Sequence, residues 1–206
     1  MHLDRNKTPR ERVAEEAAIL LYHGLEQEYK QAKLKARSIL KTNFLPSNLE
    51  VALKLDRISA ENEGPERIAR LKKLRQQALM IMTMLKVYRP LLVGSVWRGT
   101  INHRSDIDIN VYHNYLEDIL KIIDENNLMV TKTERTKLPK DELQSSPFHI
   151  YIELPTKEKV EIIVRSPEEI HHTNRCEIFG DIIKGLSINE LDDVLKTNPT
   201  QRFLPK

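Results

Sequence analysis

Cysteine is almost absent from this chain: Cys176 is the only one among 206 residues. One thiol can neither close an internal disulfide nor build a zinc site from thiolates, so a reducing cytoplasm is the expected compartment. Long apolar runs are missing too. None approaches the length needed to cross a bilayer, and the opening residues MHLDRNKTPRER lack the apolar stretch of a secretory leader. Aromatic residues make up 5% of the chain against 31% charged, an aqueous composition that leans toward helix. The net charge of +3 permits an acidic partner such as RNA without demanding one. No internal repeat or low-complexity segment is visible. A P-loop is excluded as well: Gly94 and Gly99 have its spacing, but Thr100 stands where the lysine should follow.

What is present divides the chain in two. The first half, residues 1–87, reads as a helical region. Thr8-Pro9 supplies a cap and a first-turn proline, and Val13, Ala17, Leu20, Leu21 and Leu25 recur at helical spacing. This predicts one helix from Pro9 to about Leu40, interrupted only by Gly24. Asn43 to Pro46 ends it. Ser47 with Glu50 forms a capping-box pattern that opens a second helix, broken at Gly64-Pro65. A third helix, Glu66 to about Val87, carries Leu71, Leu74, Ala78, Met82 and Leu85 on one face, and Pro90 follows it.

The second half changes period. Leu91-Leu92-Val93 is a short strand ending at Gly94. Asp106 to Tyr112 alternates, with Ile107, Ile109 and Val111 on one side and Asp106, Asp108 and Asn110 on the other. Tyr115 to Glu125 predicts a helix and Leu128 to Glu134 a strand. The polar stretch Thr136 to Pro147 reads as a mobile loop. Phe148 to Leu154 and Lys159 to Val164 alternate and are joined by four turn residues, the pattern of a β-hairpin. The expected fold is α+β: an N-terminal helical region, a small mixed-sheet domain with flanking helices over 88–170, and a C-terminal tail with short helices over 171–206.

The chemistry concentrates in GSVWRGTINHRSDIDI, residues 94–109. Asp106 and Asp108 lie two apart on a strand, so both carboxylates leave the same face. In a partly dry cleft their repulsion raises at least one pKa unless a cation is present, and Mg²⁺ takes such a carboxylate pair together with substrate phosphates. An Asp-x-Asp alone is often a solvated face. Here it follows Gly94-Ser95 by ten residues. Glycine there lets backbone approach a phosphate closely, and Ser95 offers a hydroxyl and an N–H. Arg98 and Arg104 lie in the connecting segment.

Apolar-Gly-Ser, ten residues, then Asp-apolar-Asp-apolar resembles the signature of the DNA polymerase β-like nucleotidyltransferase superfamily. Arg98-Gly99-Thr100 and Ser105 before Asp106 are most similar to its minimal members. The resemblance covers roughly residues 88–165. It implies a polymerase β-like domain and two Mg²⁺ ions, with Mn²⁺ as a substitute. It further implies transfer of NMP from an NTP, with ATP the expected donor, to a hydroxyl on RNA or protein. A third carboxylate is implied on a later strand. Glu153 and Glu161 both have apolar neighbours, and the family's strand order selects Glu161. By the same resemblance Asp106, Asp108 and Glu161 hold metal, while Gly94, Ser95, Arg98, Arg104 and Ser105 hold the nucleotide. The alternative class is a catalytically silent nucleotide- or RNA-binding module, antitoxin-like in role.

Other features have plainer readings. The basic clusters Lys30, Lys33, Lys35, Arg37, Lys41 and Arg67, Arg70, Lys72, Lys73, Arg75 suit either an RNA surface or a solvated helix face. Trp97 can stack a base or be buried under its loop. His171-His172 with Cys176 fits no standard zinc spacing. His149 reads as structural or exposed, and Leu21, Tyr22, Leu25 and Tyr29 as a core stripe. The N-terminal helices are available to an acceptor, a partner or a second copy of the chain in a homo-oligomer; no membrane partner is expected.

Overall fold

Two capping boxes fix where the first helices begin. In the computed structural model, which describes residues 7–136 and 147–205, Thr8 and Glu11 exchange side-chain-to-backbone hydrogen bonds ahead of α1 (Pro9–Tyr22), and Ser47 and Glu50 do the same ahead of α3 (Asn48–Met84). Between them lies α2 (Tyr29–Ile39). The single helix expected from Pro9 to Leu40 is therefore two. Gly24 takes a left-handed φ of 67°, and the Gly24 and Leu25 N–H groups bond back to Leu21 and Leu20. This Schellman closure satisfies the last carbonyls of α1 and turns the chain away. Leu25 consequently leaves the apolar stripe and is 60% exposed, whereas Val13, Ala17, Leu20 and Leu21 are buried.

Gly64 breaks α3 as its sequence suggests. It sits at φ 52°, ψ −137°, dividing the helix into an arm packed on α1 and α2 and an arm packed on the sheet. The hydrophobic clusters divide at this kink rather than at residue 87. One cluster joins Val13, Ala17, Ala32, Ala36 and Val51; the other joins Leu71, Leu74, Ala78, Met82 and Leu85 to the strands.

The second half is a five-stranded mixed sheet. Its strands are β1 (Leu91–Val93), β2 (Ile107–Tyr112), β3 (Met129–Arg135), β4 (Phe148–Glu153) and β5 (Lys159–Arg165), in the order β1-β2-β5-β4-β3. β2 and β5 run parallel; the other pairs are antiparallel. Alternation decides the faces. Ile107, Ile109 and Val111 of β2, Ile150 and Ile152 of β4, and Val160, Ile162 and Val164 of β5 turn to the core. There they meet α3, α5 (Leu116–Glu125) and α6 (Ile188–Thr197). The opposite face carries Asp108, Asn110, Tyr112, Glu161 and Arg165. The ten positions 137–146, within the segment read as a mobile loop, lie outside the described residues. Among the described residues no helix is long and apolar enough to cross a membrane.

Candidate active site

The ten residues between Ser95 and Asp106 are short because they are spent on a turn and a clamp. Gly94 to Arg98 form one short helix, α4. Asn102 to Ser105 then make a tight turn: the Ser105 N–H donates to the Asn102 carbonyl, and Ser105 Oγ accepts from the Asn102 N–H, both at 2.9 Å. The arginines of α3 pin this turn. Arg67 donates to the Ile101 carbonyl at 2.6 Å; Arg70 donates to the carbonyls of Asn102 and, at 3.0 Å, Ser105. Arg75 is fully buried and donates to Val96, Trp97, Pro199 and Gln201 carbonyls. Burial pushes its pKa down to about 10. So Arg67, Arg70 and Arg75 of the second basic cluster are neither RNA surface nor solvated face. They are polar pins through which α3 positions the segment carrying Gly94 and Asp106.

The carboxylates converge. Asp108 and Glu161 are direct register partners on the parallel pair β2–β5, and Asp106 stands just ahead of β2, near enough for its charge to act on Asp108 and for that of Glu161 to act on it. Val93 is the register partner of Asp108 on β1, which brings Gly94 onto the same carboxylate. The approach is so close that a Cβ on Gly94 would fall 1.8 Å from Asp108 Oδ2. Gly94 also has a φ of 69°, a conformation natural only to glycine. Burial, then Glu161, then Asp106 push the Asp108 carboxyl up to about 8. Asp106 is also raised, by burial first; Lys159 opposes this and Glu161 adds to it. Carboxyls whose charges push each other's pKa up are an arrangement a divalent cation relieves. Among the described residues, no three His, Cys, Asp or Glu side chains are gathered into a ready-made metal cage. Asp106, Asp108 and Glu161 are oxygen donors, the ligand type that Mg²⁺ takes together with substrate phosphates.

Glu153 does not join this group. It lies at the far end of β4, opposite Lys159, and pairs with Lys157 at 2.8 Å. Glu161 has a partner that sequence reasoning left as structural: His149 Nδ1 lies 2.6 Å from Glu161 Oε1, and His149 Nε2 2.8 Å from Thr136 Oγ1. The available signal was parity, since His149 and Tyr151 of β4 share the face of Glu161. Tyr151 donates to Glu134 at 2.8 Å; burial, then Glu134, then Glu161 hold its phenol well above the usual range.

Beside the carboxylates opens a cleft of about 520 Å³. Gly94, Ser95, Arg104, Ser105, Asp106 and Lys159 form one wall; Leu21, Tyr29, Ala52 and Leu55 of the helical half form another, with Cys176 and Phe179 closing it. The proposed nucleotide-holding residues thus part company. Ser95 and Arg104 are at the cleft, and the Arg104 guanidinium lies over Gly24, whose Cβ would stand 2.3 Å from Arg104 Cζ. Ser105 also borders the cleft, but its hydroxyl is engaged in the turn. Arg98 touches the cleft while its guanidinium is committed: it forms a bidentate pair with Asp181 at 2.7 and 3.1 Å, donates to the Phe203 carbonyl, and stacks on Trp97 and Phe179. Trp97 is buried beneath it and cannot offer a free face. Tyr29, expected in a core stripe, packs against the helical core and also walls the cleft; burial, then Cys176, push its phenol up to about 12. Lys159 carried no pattern of its own, although it precedes Glu161 by two residues on one strand face.

No protein-family model matches the chain, and no curated protein matches it.

Proposed function

We propose that this protein is a Mg²⁺-dependent nucleotidyltransferase of the polymerase β-like kind, moving NMP from an NTP, most simply ATP, to a hydroxyl acceptor. The observation that carries the reading is the meeting of Gly94 with Asp108 beside Glu161. A Gly-Ser turn and two acidic strand positions distant in sequence form one site, and only a bare Cα allows it. Asp106, Asp108 and Glu161 would hold divalent ions, with Mn²⁺ able to replace Mg²⁺. When bound, such ions neutralise the leaving pyrophosphate and acidify the attacking hydroxyl.

The chain's own groups would do the rest. Ser95, Lys159 and Arg104 line the cleft where a triphosphate would lie and supply hydrogen bonds and positive charge to it. Tyr29 and Phe179 offer aromatic surface for the base across the cleft. Arg98 acts as a strut, fixing α4 to the 176–181 segment. The acceptor oxygen forms a bond to the α-phosphorus, the bond from that phosphorus to the pyrophosphate oxygen breaks, and the hydroxyl proton passes to Glu161. His149 holds one Glu161 oxygen and so orients the carboxylate that stands in register with Asp108. Positioning and electrostatics carry the rate.

The test is incubation with Mg²⁺ and each α-labelled NTP, with total RNA or cell extract as acceptor. Label should transfer with one NTP preferred, and Asp106→Asn or Asp108→Asn should abolish it. Transfer that survives both substitutions would refute the mechanism. NTP binding without transfer to any acceptor would favour the silent binding module instead.

A further inference from the structure

A second cavity, of about 690 Å³, shares Gly94 with the cleft. Gly94 walls both; Asp106 opens on the first and Asp108 on the second. The carboxylates therefore stand on the boundary between two spaces, which a group transfer between two substrates requires. From Asp108 the second cavity follows the open sheet face past Asn110 to Tyr112. Four strand residues span about 13 Å, room for about two nucleotides. Beyond Tyr112 it runs into a third cavity of about 660 Å³ that shares Leu91, Tyr112, Ile170 and Lys184 with it.

The charge along this track is one-sided. Lys86, Arg89 and Lys184 line its far end and, among the described residues, none has an ion-pair partner. Arg165 flanks the middle, paired to Glu169 at 3.0 Å. Asp108 is the one carboxylate among the described lining residues of both cavities. Three unneutralised cations beginning one strand-length from the reacting carboxylate, with a tyrosine ring between, match a sugar–phosphate chain with stackable bases. A protein hydroxyl has no need of such a row.

Resting on the nucleotidyltransferase reading, we infer that this second cavity is the acceptor site and that its occupant is the 3′ end of a single-stranded polynucleotide. The terminal hydroxyl lies at Asp108, Tyr112 offers its ring to a base, and the upstream phosphates run to Lys184, Lys86 and Arg89. The terminal 3′ oxygen is then the nucleophile at the α-phosphorus, and pyrophosphate leaves into the first cleft.

The experiment is fluorescence anisotropy with 5′-fluorescein hexanucleotides of mixed sequence, one RNA and one DNA, between 50 and 200 mM salt. A parallel titration uses a fluorescent ATP analogue. K86E/R89E/K184E should weaken hexanucleotide binding at least tenfold and lower the log–log salt slope by about 2, at about 0.7 per lost phosphate contact. The glutamine triple should fall between it and wild type. Analogue binding and melting temperature should hold, because all three residues are exposed. RNA binding tighter than DNA would assign the ribose hydroxyls a part, and equal binding would assign the phosphates alone; either outcome supports the groove. Unchanged hexanucleotide affinity and slope in the charge-reversed protein would overturn the inference. So would transfer of label to a protein hydroxyl at the wild-type rate in that variant. If the hexanucleotide needs these cations to bind but wild type never extends it, the transferase reading fails and the groove stands. If nucleotide is transferred and charge reversal changes nothing, the groove fails and the transferase reading stands.

Discussion

Gly94→Ala separates the contribution of one bare Cα from that of the surrounding fold. The added methyl meets Asp108 Oδ2 at 1.8 Å and Cγ at 2.8 Å, where ordinary contact begins at 3.4 Å. The carboxylate must therefore retreat by about 1.6 Å, and a misplacement of about 1 Å at a reacting centre costs on the order of 100-fold in rate. The left-handed φ of 69° adds about 1–2 kcal/mol of backbone strain. For a chain this long, each kcal/mol lowers Tm by about 2–4 °C. Expected, then, is loss of NMP transfer by at least about 100-fold with Tm lowered by only a few degrees. Gly64→Ala is the matched control. Gly64 also has a positive φ, 52°, but nothing lies within 4 Å of its would-be Cβ. It should lower Tm and leave transfer within about twofold. Label-transfer kinetics and differential scanning fluorimetry on both variants decide the matter. If Gly94→Ala keeps its activity, or if both variants lose activity equally, the contact with Asp108 is not what the glycine is for.

Three further outcomes follow from the same geometry. Asp108 titrates near 8 in the folded protein, well above its unfolded value of 3.8, so between these pH values the native state binds the extra proton. In EDTA, Tm should fall as pH rises from 5 to about 8; Asp108→Asn should flatten the slope and Mg²⁺ should offset it, and a Tm that rises with pH through this window in EDTA would contradict it. Removing His149 frees the Glu161 oxygen it holds at 2.6 Å, so His149→Ala should raise the Mg²⁺ concentration for half-maximal transfer about 10–100-fold, with His149→Gln recovering part; equal values for all three proteins would make the pair structural only. Arg98→Ala leaves Asp181 without its buried partner and should destabilise by about 3–5 kcal/mol in urea unfolding, while the double change with Asp181→Ala costs clearly less than the two single changes added; strict additivity would dissolve the strut.

Local patterns made much of the framework legible. The capping box at Ser47, the Gly64 break, the core stripe of Leu71, Leu74, Ala78 and Met82, and the alternation of β2, β4 and β5 all depend on near neighbours, and each lies where its pattern puts it. The single long N-terminal helix failed for a local reason too: a lone glycine in an apolar stripe does not disclose whether it will be passed through or used as a left-handed cap. Arginine roles were not legible at all. Arg75 sits in a charged stretch and Arg98 between Trp97 and Gly99, and only folding supplies the carbonyls and the Asp181 carboxylate that draw them inward.

By itself the sequence determined which side of each strand carries carboxylates and which carries the core, because a period of two leaves no other arrangement. It also placed Gly-Ser just after one short strand and Asp-x-Asp at the start of the next. Which carboxylate stands beside Asp108 was decided by tertiary structure, since Glu153 and Glu161 have the same parity and differ only in the strand pairing around them. The parallel pairing of β2 with β5 sets Glu161 against Asp108 and leaves Glu153 two strands away with Lys157. Pairing between strands some fifty residues apart is written in how whole faces bury together, not in any short stretch of chain.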